Sequence, residues 1–588
     1  MVVYKRGSNI YIQTEFERKD KLKQCIRGAR WDSTSRMWVA PATISTFRNL
    51  REFCPEAMKP ELLSPEIREW YNTLIKRATR LDELQKSTGE EPEFPEDFFL
   101  YKPYKHQKEG IAFCLNLPKA ALWLDLGLGK TFTSIHVVKH RIINLGIKKV
   151  LVVLPVSLMQ QWANEIERFF PGNKITIIEG TPAKKQAKLE AIPEDVPSFT
   201  LISYESVKPL MHYVNDVCFD HFILDESTKI KNPKAVRTKV IIDVCKDIPY
   251  GITLTGLPYL NNPVDLFSQF QVLDTTVYGH DQWAFEGRYI DYMKMPFGKV
   301  VRGFRHLDDL KRRAYFIAFS RTKKDCVDLP EKVYSVRTLP MYDTQLEWYE
   351  KVKENLLNEM DTALVVKQLE KLTQVTSGFL QMDDGKIVWF DSPKYAEICD
   401  IVQESDENYI IWAKHREAIK RMLAALRQRN IPCGELSRHV NQAEKNSYIK
   451  GFTKTGTVKV LVCQLTSESK GHNLTSETKC VNAIYLESNM SVDDRWQSEA
   501  RNHRIGMSGT ASYIDVVLQD TFDEGILDLV KGKLQISEYI VQHSLKDLIG
   551  GCKYVVPRKT KSRKETPKPE DFEDPALDGV VIEGLEEI

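Results

Sequence analysis

Asp125-Leu126-Gly127-Leu128-Gly129-Lys130-Thr131 decides the reading of the fold. It stands between the apolar run Ala120-Ala121-Leu122-Trp123-Leu124 and a stretch of helical composition. A glycine-rich turn from a buried strand into a helix lets backbone N–H groups approach phosphates, and the helix N-terminus favours their charge. In that setting Gly127 and Gly129 open the turn. Lys130 can reach the β- and γ-phosphates, and Thr131 can offer its hydroxyl to Mg²⁺. The full phosphate-loop pattern wants a glycine six residues before the lysine, where this chain has Leu124. A plain strand-to-helix turn is the competing reading.

Outward from this loop, short apolar runs alternate with helical segments from 100 to about 275. They include Val150-Leu151-Val152-Val153-Leu154, Thr200-Leu201-Ile202-Ser203, His221-Phe222-Ile223-Leu224 and Gly251-Ile252-Thr253-Leu254. A second alternating section runs from about 331 to 535, with Tyr409-Ile410-Ile411-Trp412, a run from Val458 to Val462, another from Val481 to Leu486 and Tyr513-Ile514-Asp515-Val516-Val517. Apolar runs without internal alternation fit parallel sheets buried on both faces. The expected class is α/β, with two tandem parallel-sheet lobes. Residues 276–330 read as a polar, helical insertion between them.

Asp225-Glu226 ends the third of these runs. At the open end of a sheet, Asp225 can hold Mg²⁺ and Glu226 can orient and deprotonate a water. An acidic pair after a strand is also a common helix cap. Near the end of the second lobe stands Gln497-x-x-x-Arg501-x-x-Arg504. Arginines three apart share a helical face. Reaching a nucleotide, they would stabilise charge on the transferring phosphoryl group. A surface ion pair is the bland alternative.

Length and composition bound the rest. At 588 residues the chain exceeds the roughly 250–300 at which single cores stop growing, so it holds more than one domain. No apolar run reaches the ~18 residues of a membrane span. Eleven cysteines stand without a Cys-x-x-Cys pair, which suits reduced thiols and argues against metal knuckles. Net charge is only +2, but residues 1–53 carry eleven Lys/Arg against five Asp/Glu. That surplus, beside aromatics, fits a phosphate backbone or an ordinary solvated face.

These residues resemble the Swi/Snf-type ATPases of helicase superfamily 2. Tyr104-Lys105-His106-Gln107-Lys108-Glu109-Gly110 is similar to the family's adenine-reading segment, which implies that Gln107 contacts adenine. The stretch from Val152 to Trp162, with Ser157, and Ile202-Ser203-Tyr204-Glu205 are similar to segments that touch DNA there. Leu254-Thr255-Gly256-Leu257-Pro258, followed by residues 261–266, looks like the segment that couples hydrolysis to lobe motion. Arg321-Thr322-Lys323-Lys324-Asp325 through Pro330 is characteristic of this family. Ile411-Trp412-Ala413-Lys414-His415 and Gly471-His472-Asn473-Leu474 match its later motifs. Thr228, where the family often has His or Gln, and Asp125, where Glu is usual, are mild departures. Compactness looks more like phage or bacterial members. A second resemblance, carried by Gly28-Ala29-Arg30-Trp31-Asp32 and Trp38-Val39-Ala40-Pro41, is to the HARP domain of annealing helicases.

The resemblance implies two RecA-like lobes, ATP and Mg²⁺ as cofactors, and ATP-driven translocation on double-stranded or forked DNA. Catalysis would fall to Lys130, Glu226, Gln497, Arg501 and Arg504. Nucleotide and metal would meet Gln107, Gly127, Gly129, Lys130, Thr131 and Asp225. DNA would meet Arg30, Trp31, Trp38, Ser157 and Tyr204, with one of the two tryptophans expected in the small module's core. Expected divisions are 1–57, a HARP-like module; 58–99, a helical connector; 100–275, lobe 1; 276–330, the insertion; 331–540, lobe 2; and 541–588, a charged, disordered tail. The HARP-like module tilts the function toward remodelling or reannealing forks. Strand separation, protein displacement, and an ATP-gated DNA-binding scaffold with little turnover stay open. The expected setting is a monomer without a membrane partner, beside replication or recombination proteins. It would be cytoplasmic in a bacterium or phage-infected host, or nuclear in a eukaryote.

Overall fold

The computed structural model describes residues 2–531, apart from 7–8, 15–16, 18, 21, 23–25, 27–28, 43–45, 47–48, 51–54, 56–64, 87–89, 257–263, 296–297, 327–328, 358–361, 466–473, 477–478, 488–490, 505–506 and 508. The expected tail 541–588 and Gly471-His472-Asn473 lie outside the described residues. The chain divides into two compact units, with the boundary after Cys326.

The first unit opens with β1 (Val2–Arg6), β2 (Asn9–Gln13), β3 (Arg30–Asp32) and β4 (Met37–Pro41), an antiparallel sheet in the order β1-β2-β4-β3. The pairs β1-β2 and β3-β4 are hairpins. Asp32 turns the second: one carboxylate oxygen accepts the Thr34 N–H at 3.1 Å, the other the Ser35 hydroxyl at 2.6 Å. The Ser35 bond, then that from Thr34, holds the Asp32 carboxyl below its ordinary range.

The same unit then forms β5 (Lys119–Leu124), β6 (Lys149–Leu154), β7 (Lys174–Ile177), β8 (Ser198–Ser203), β9 (His221–Asp225) and β10 (Tyr250–Thr255). With a later strand, β13 (Ala318–Arg321), they make a seven-stranded parallel sheet in the order β13-β5-β10-β9-β6-β8-β7. Every residue of β6, β8 and β9 is buried. That explains why these strands are mostly apolar without alternation. Packing is close enough that a Cβ on Gly251 would sit 2.1 Å from the Phe222 ring.

The insertion expected to be helical is mixed. It contains short helices, an antiparallel hairpin of β11 (Ile290–Met295) and β12 (Gly298–Phe304), and β13. Ala314 to Phe319 is an unbroken apolar run of six residues, in which periodicity does not separate strand from helix. Only pairing against β5 decides it.

Residues Pro65–Lys86 form a helix whose end is packed into this unit: Leu81, Leu84 and Gln85 are buried. Arg321 donates to the Leu84 carbonyl at 2.6 Å and to Glu109 at 3.0 Å. The N-terminal module is also anchored. Asn49, buried, donates to the Thr276 carbonyl at 3.2 Å and accepts from Arg313 at 3.1 Å.

The second unit holds β14 (Val333–Leu339), the hairpin β15 (Phe379–Gln381) and β16 (Ile387–Trp389), then β17 (Asn408–Ala413), β18 (Cys433–Leu436), β19 (Val460–Gln464), β20 (Val481–Tyr485) and β21 (Ser512–Leu518). All but the hairpin form a six-stranded parallel sheet in the order β14-β21-β20-β17-β19-β18. Tyr409, Ile411, Val460 and Val462 enter one core, while Ile410, Trp412, Leu461 and Cys463 enter the other. That is the period of two with both faces covered. No helix among the described residues is long and apolar enough to cross a membrane.

Where β17 and β20 end, His415 bonds Glu370 at 2.8 Å and Glu487 at 2.7 Å. Glu487 also accepts the backbone N–H groups of Lys414 and His415. Burial alone would lower the His415 pKa, but the Glu487 charge and the two bonds outweigh it and raise it to about 9. Burial likewise opposes ionisation of Glu487, yet His415 brings its carboxyl down to about 2.

Asn49→Ala removes a buried bridge worth on the order of 1–3 kcal/mol. The thermal midpoint should fall by roughly 2–10 °C, and an unchanged midpoint would show the module is not anchored there. For His415, the unfolded imidazole loses its proton near ~6.5, while the folded one keeps it to about 9. Its stabilisation is full below the lower value and lost as pH rises through the upper one. Urea melts should therefore show the wild-type advantage over His415→Gln shrinking between about pH 7 and 9.5.

Candidate nucleotide-binding and catalytic site

The glycine turn leaves β5 and enters the helix Lys130–Leu145. Gly127 and Gly129 have φ of 97° and 86°, left-handed values that favour glycine. Leu124, at the position where the full pattern wants glycine, is the buried last residue of β5. It contributes its carbonyl, which accepts from Lys130 Nζ at 2.9 Å.

The loop is pinned from two sides. Gln107 Nε2 donates to the Leu128 carbonyl at 3.2 Å, and Gln107 Oε1 accepts the Tyr104 N–H at 3.0 Å. Gln107 is thus buried and engaged at both ends of its amide, where an adenine contact was expected. A Cβ on Gly129 would lie 2.3 Å from Gln107 Nε2. On the other side Asp125 accepts the Lys323 N–H at 2.9 Å, and the Asp125 N–H donates to the Arg321 carbonyl at 3.1 Å. The segment from Arg321 is therefore bound directly to the loop.

The acidic pair ends β9, two strands from β5. Asp225 is buried, its Oδ2 accepting the Trp162 indole N–H at 2.8 Å and its Oδ1 the Glu226 N–H at 3.0 Å. Burial, then the neighbouring Glu226 charge, pushes the Asp225 carboxyl up to about 7, with Trp162 and Lys130 pulling the other way. Glu226 sits at φ 54°, left-handed and unusual for a residue with a Cβ. Beyond it Ser227 donates to Gln269 Oε1 at 2.6 Å.

Two buried or half-buried acids, the Thr131 hydroxyl and the Lys130 ammonium form a donor set suited to a Mg²⁺-bound polyphosphate. A divalent cation would offset the repulsion that raises Asp225. When bound, it would neutralise charge on the phosphates.

Several expected DNA contacts need correction. Tyr204 is buried, its hydroxyl donating to the Asp225 carbonyl at 2.8 Å, so it faces the acidic pair rather than solvent. Trp38 is buried as well, edge-on to Trp31 with ring centroids 5.5 Å apart. Trp31 and Arg30 are exposed, and so is Ser157 in the 3₁₀ turn after β6. Trp162, Tyr204 and Gln269 as supports of the acidic pair were missed. The one available signal was an aromatic donor soon after each neighbouring strand.

In the second unit, the helix Val492–Glu499 ends before the two arginines. Arg501 and Arg504 lie beyond it in a turn, not on a shared helical face. Each guanidinium folds back: Arg501 Nε donates to the Gln497 carbonyl at 3.1 Å, and Arg504 Nε to that of Ala500 at 2.7 Å. Gln497 and Arg501 are buried, and Arg504 is half-buried. The helix is held by Arg495, which binds Asp515 through both Nη atoms and Glu499 through Nε. Glu499 in turn accepts from Lys332 and Tyr334, each at 2.8 Å.

A glycine loop at a helix N-terminus and an acidic pair thus stand on one sheet edge, and a second parallel-sheet lobe carries an arginine turn. Residues 106–384 match the SNF2-related domain. A SWI/SNF-related matrix-associated actin-dependent regulator of chromatin subfamily A-like protein 1 homolog from Caenorhabditis elegans is 23% identical over 448 residues, 74% of this chain and 61% of its own length. The human DNA annealing helicase and endonuclease ZRANB3 is 22% identical over 450 residues, 73% of this chain and 40% of its own. This chain thus spans less than two thirds of either relative. The Sulfolobus solfataricus SWI2/SNF2 ATPase core in complex with dsDNA aligns over 77% of this chain and 98% of its own, at 19% identity and a TM-score of 0.36.

Gly129→Ala tests the loop. A left-handed alanine costs about 1–2 kcal/mol, and the new methyl displaces Gln107. Binding of a fluorescent ATP analogue should weaken at least several-fold, and wild-type affinity in this variant would mean the loop is built differently.

Proposed function

We propose that this chain is a DNA-dependent ATPase that uses ATP and Mg²⁺ to translocate on double-stranded DNA and to remodel or reanneal forks. The observation that supports this most is the convergence of Lys130, Thr131, Asp225 and Glu226 on one edge of one parallel sheet, in a chain with a SNF2-related domain. Lys130 meets phosphate charge, Asp225 and Thr131 hold the metal, and Glu226 takes the proton of the attacking water. Arg504 serves the γ-phosphate, with Gln497 and Arg501 shaping its turn. The fork preference rests on the N-terminal residues 1–57 as a HARP-like module, whose Trp31 and Arg30 are exposed for a base and a phosphate. A monomer in a cytoplasmic or nuclear setting, beside replication or recombination proteins, suits this activity.

Turnover measured with and without DNA separates this motor from an ATP-gated scaffold. Lys130→Ala should nearly abolish DNA-stimulated hydrolysis, a loss of several kcal/mol of barrier stabilisation, roughly 10²-fold or more. Near wild-type turnover in that variant would sink the assignment. Glu226→Gln should still bind Mg²⁺ and ATP while hydrolysing slowly. Arg504→Ala should depress kcat far more than ATP affinity. Annealing and displacement assays on forked DNA, run side by side, separate reannealing from strand separation and protein displacement.

A further inference from the structure

We infer that Trp162 and Tyr204 are positioning residues that hold Glu226 in its left-handed conformation and so aim the catalytic base. The inference rests on the ATPase reading of this site. The peptide unit joining Asp225 to Glu226 is held on both sides. Its carbonyl accepts the Tyr204 hydroxyl at 2.8 Å. Its N–H donates to Asp225 Oδ1 at 3.0 Å, and the other oxygen of that carboxylate accepts the Trp162 indole at 2.8 Å. Two side-chain donors therefore fix one peptide plane. The next backbone rotation is the φ of Glu226, 54°.

A left-handed residue with a Cβ persists only where its surroundings over-determine it. Here they do. Trp162 and Tyr204 are each 2% exposed, so water cannot replace either donor. The far side of the turn is closed by Ser227, whose hydroxyl donates to Gln269. Gln269 in turn donates to the Asp265 carbonyl at 2.7 Å. Both aromatic donors come from helix starts that follow strands on one side of β9. Trp162 lies in the helix after β6, and Tyr204 opens the one after β8. Loss of either donor frees the peptide plane to rotate. Glu226 then leaves the position from which it can take a proton, while the phosphate loop is untouched.

The test uses the full chain with Trp162→Phe, Tyr204→Phe and the pair together. Each single variant should lower DNA-stimulated kcat about tenfold or more, the usual cost of losing an outer partner that orients a reacting group. KM for ATP, affinity for a fluorescent ATP analogue and affinity for duplex DNA should all stay within about twofold of wild type. The double variant should lose little more than the worse single one, because both act on one peptide plane. Unchanged kcat in both variants overturns the inference while leaving the ATPase reading intact. Weaker DNA binding by Tyr204→Phe at unchanged kcat would make Tyr204 a DNA contact and also overturn it. A parallel collapse of kcat, nucleotide affinity and thermal midpoint would mean these aromatics serve only the core. A wild type inert toward ATP, with or without DNA, removes the ATPase reading and this assignment with it.

Discussion

Parallel pairing forces every strand of the first unit's sheet to end on the same edge. Residues far apart in the chain are delivered there together: Asp125 after β5, Trp162 after β6, Tyr204 after β8, Asp225 in β9 and Gly256 after β10. An antiparallel sheet would have sent alternate strand ends to opposite edges. The chemistry is then set by burial. A carboxylate drawn into such an edge repels its neighbour and needs donors around it. Lys130, Trp162 and the Glu226 N–H supply them. A Cβ on Gly256 would come within 3.5 Å of Lys130 Nζ, so even the strand across from the loop shapes the lysine's surroundings.

Much of this was legible in the chain. Runs such as Val150 to Leu154 declare strands buried on both faces, because no polar residue interrupts them. The loop around Gly127 and Gly129 announced itself by glycines that a strand-to-helix turn requires. Supports acting across the sheet were not legible, since Trp162 lies 63 residues from the carboxylate it bonds. Tyr204 illustrates the same blindness. Its motif suggested an outward contact, yet the side chain points inward. The arginine turn was misread for a local reason: i, i+3 spacing fits a helix, but Arg501 and Arg504 bond carbonyls four residues back after the helix has ended. Strand β13 escaped because the short unbroken apolar run from Ala314 to Phe319 fits a buried helix as well as a strand.

The N-terminal portion shows how polarity misleads about packing. Residues 58–99 are rich in charge, yet the helix Pro65–Lys86 buries its last turn, where Leu84 offers its carbonyl to Arg321. Arg321 also holds Glu109 and stacks over Phe319 at 4.3 Å. One guanidinium therefore links the N-terminal helix, the helix that carries Gln107, and the last strand of the sheet. Asn49 makes a second link through Arg313, itself fixed by Asp309. These bonds tie the module to the rest of the first unit.

Strand β13 carries a consequence for synthesis. It pairs with β5, yet it lies about 200 residues later in the chain. At translation rates of roughly 5–20 residues per second, β5 waits on the order of 10–40 s on the ribosome for that neighbour. During this time one edge of a strand that is apolar from Ala120 to Leu124 has no partner of its own chain, a template for pairing with another nascent copy. The chain is therefore expected to lean on chaperones while it is being made. A message truncated before codon 318 would yield a product that aggregates rather than a smaller working ATPase.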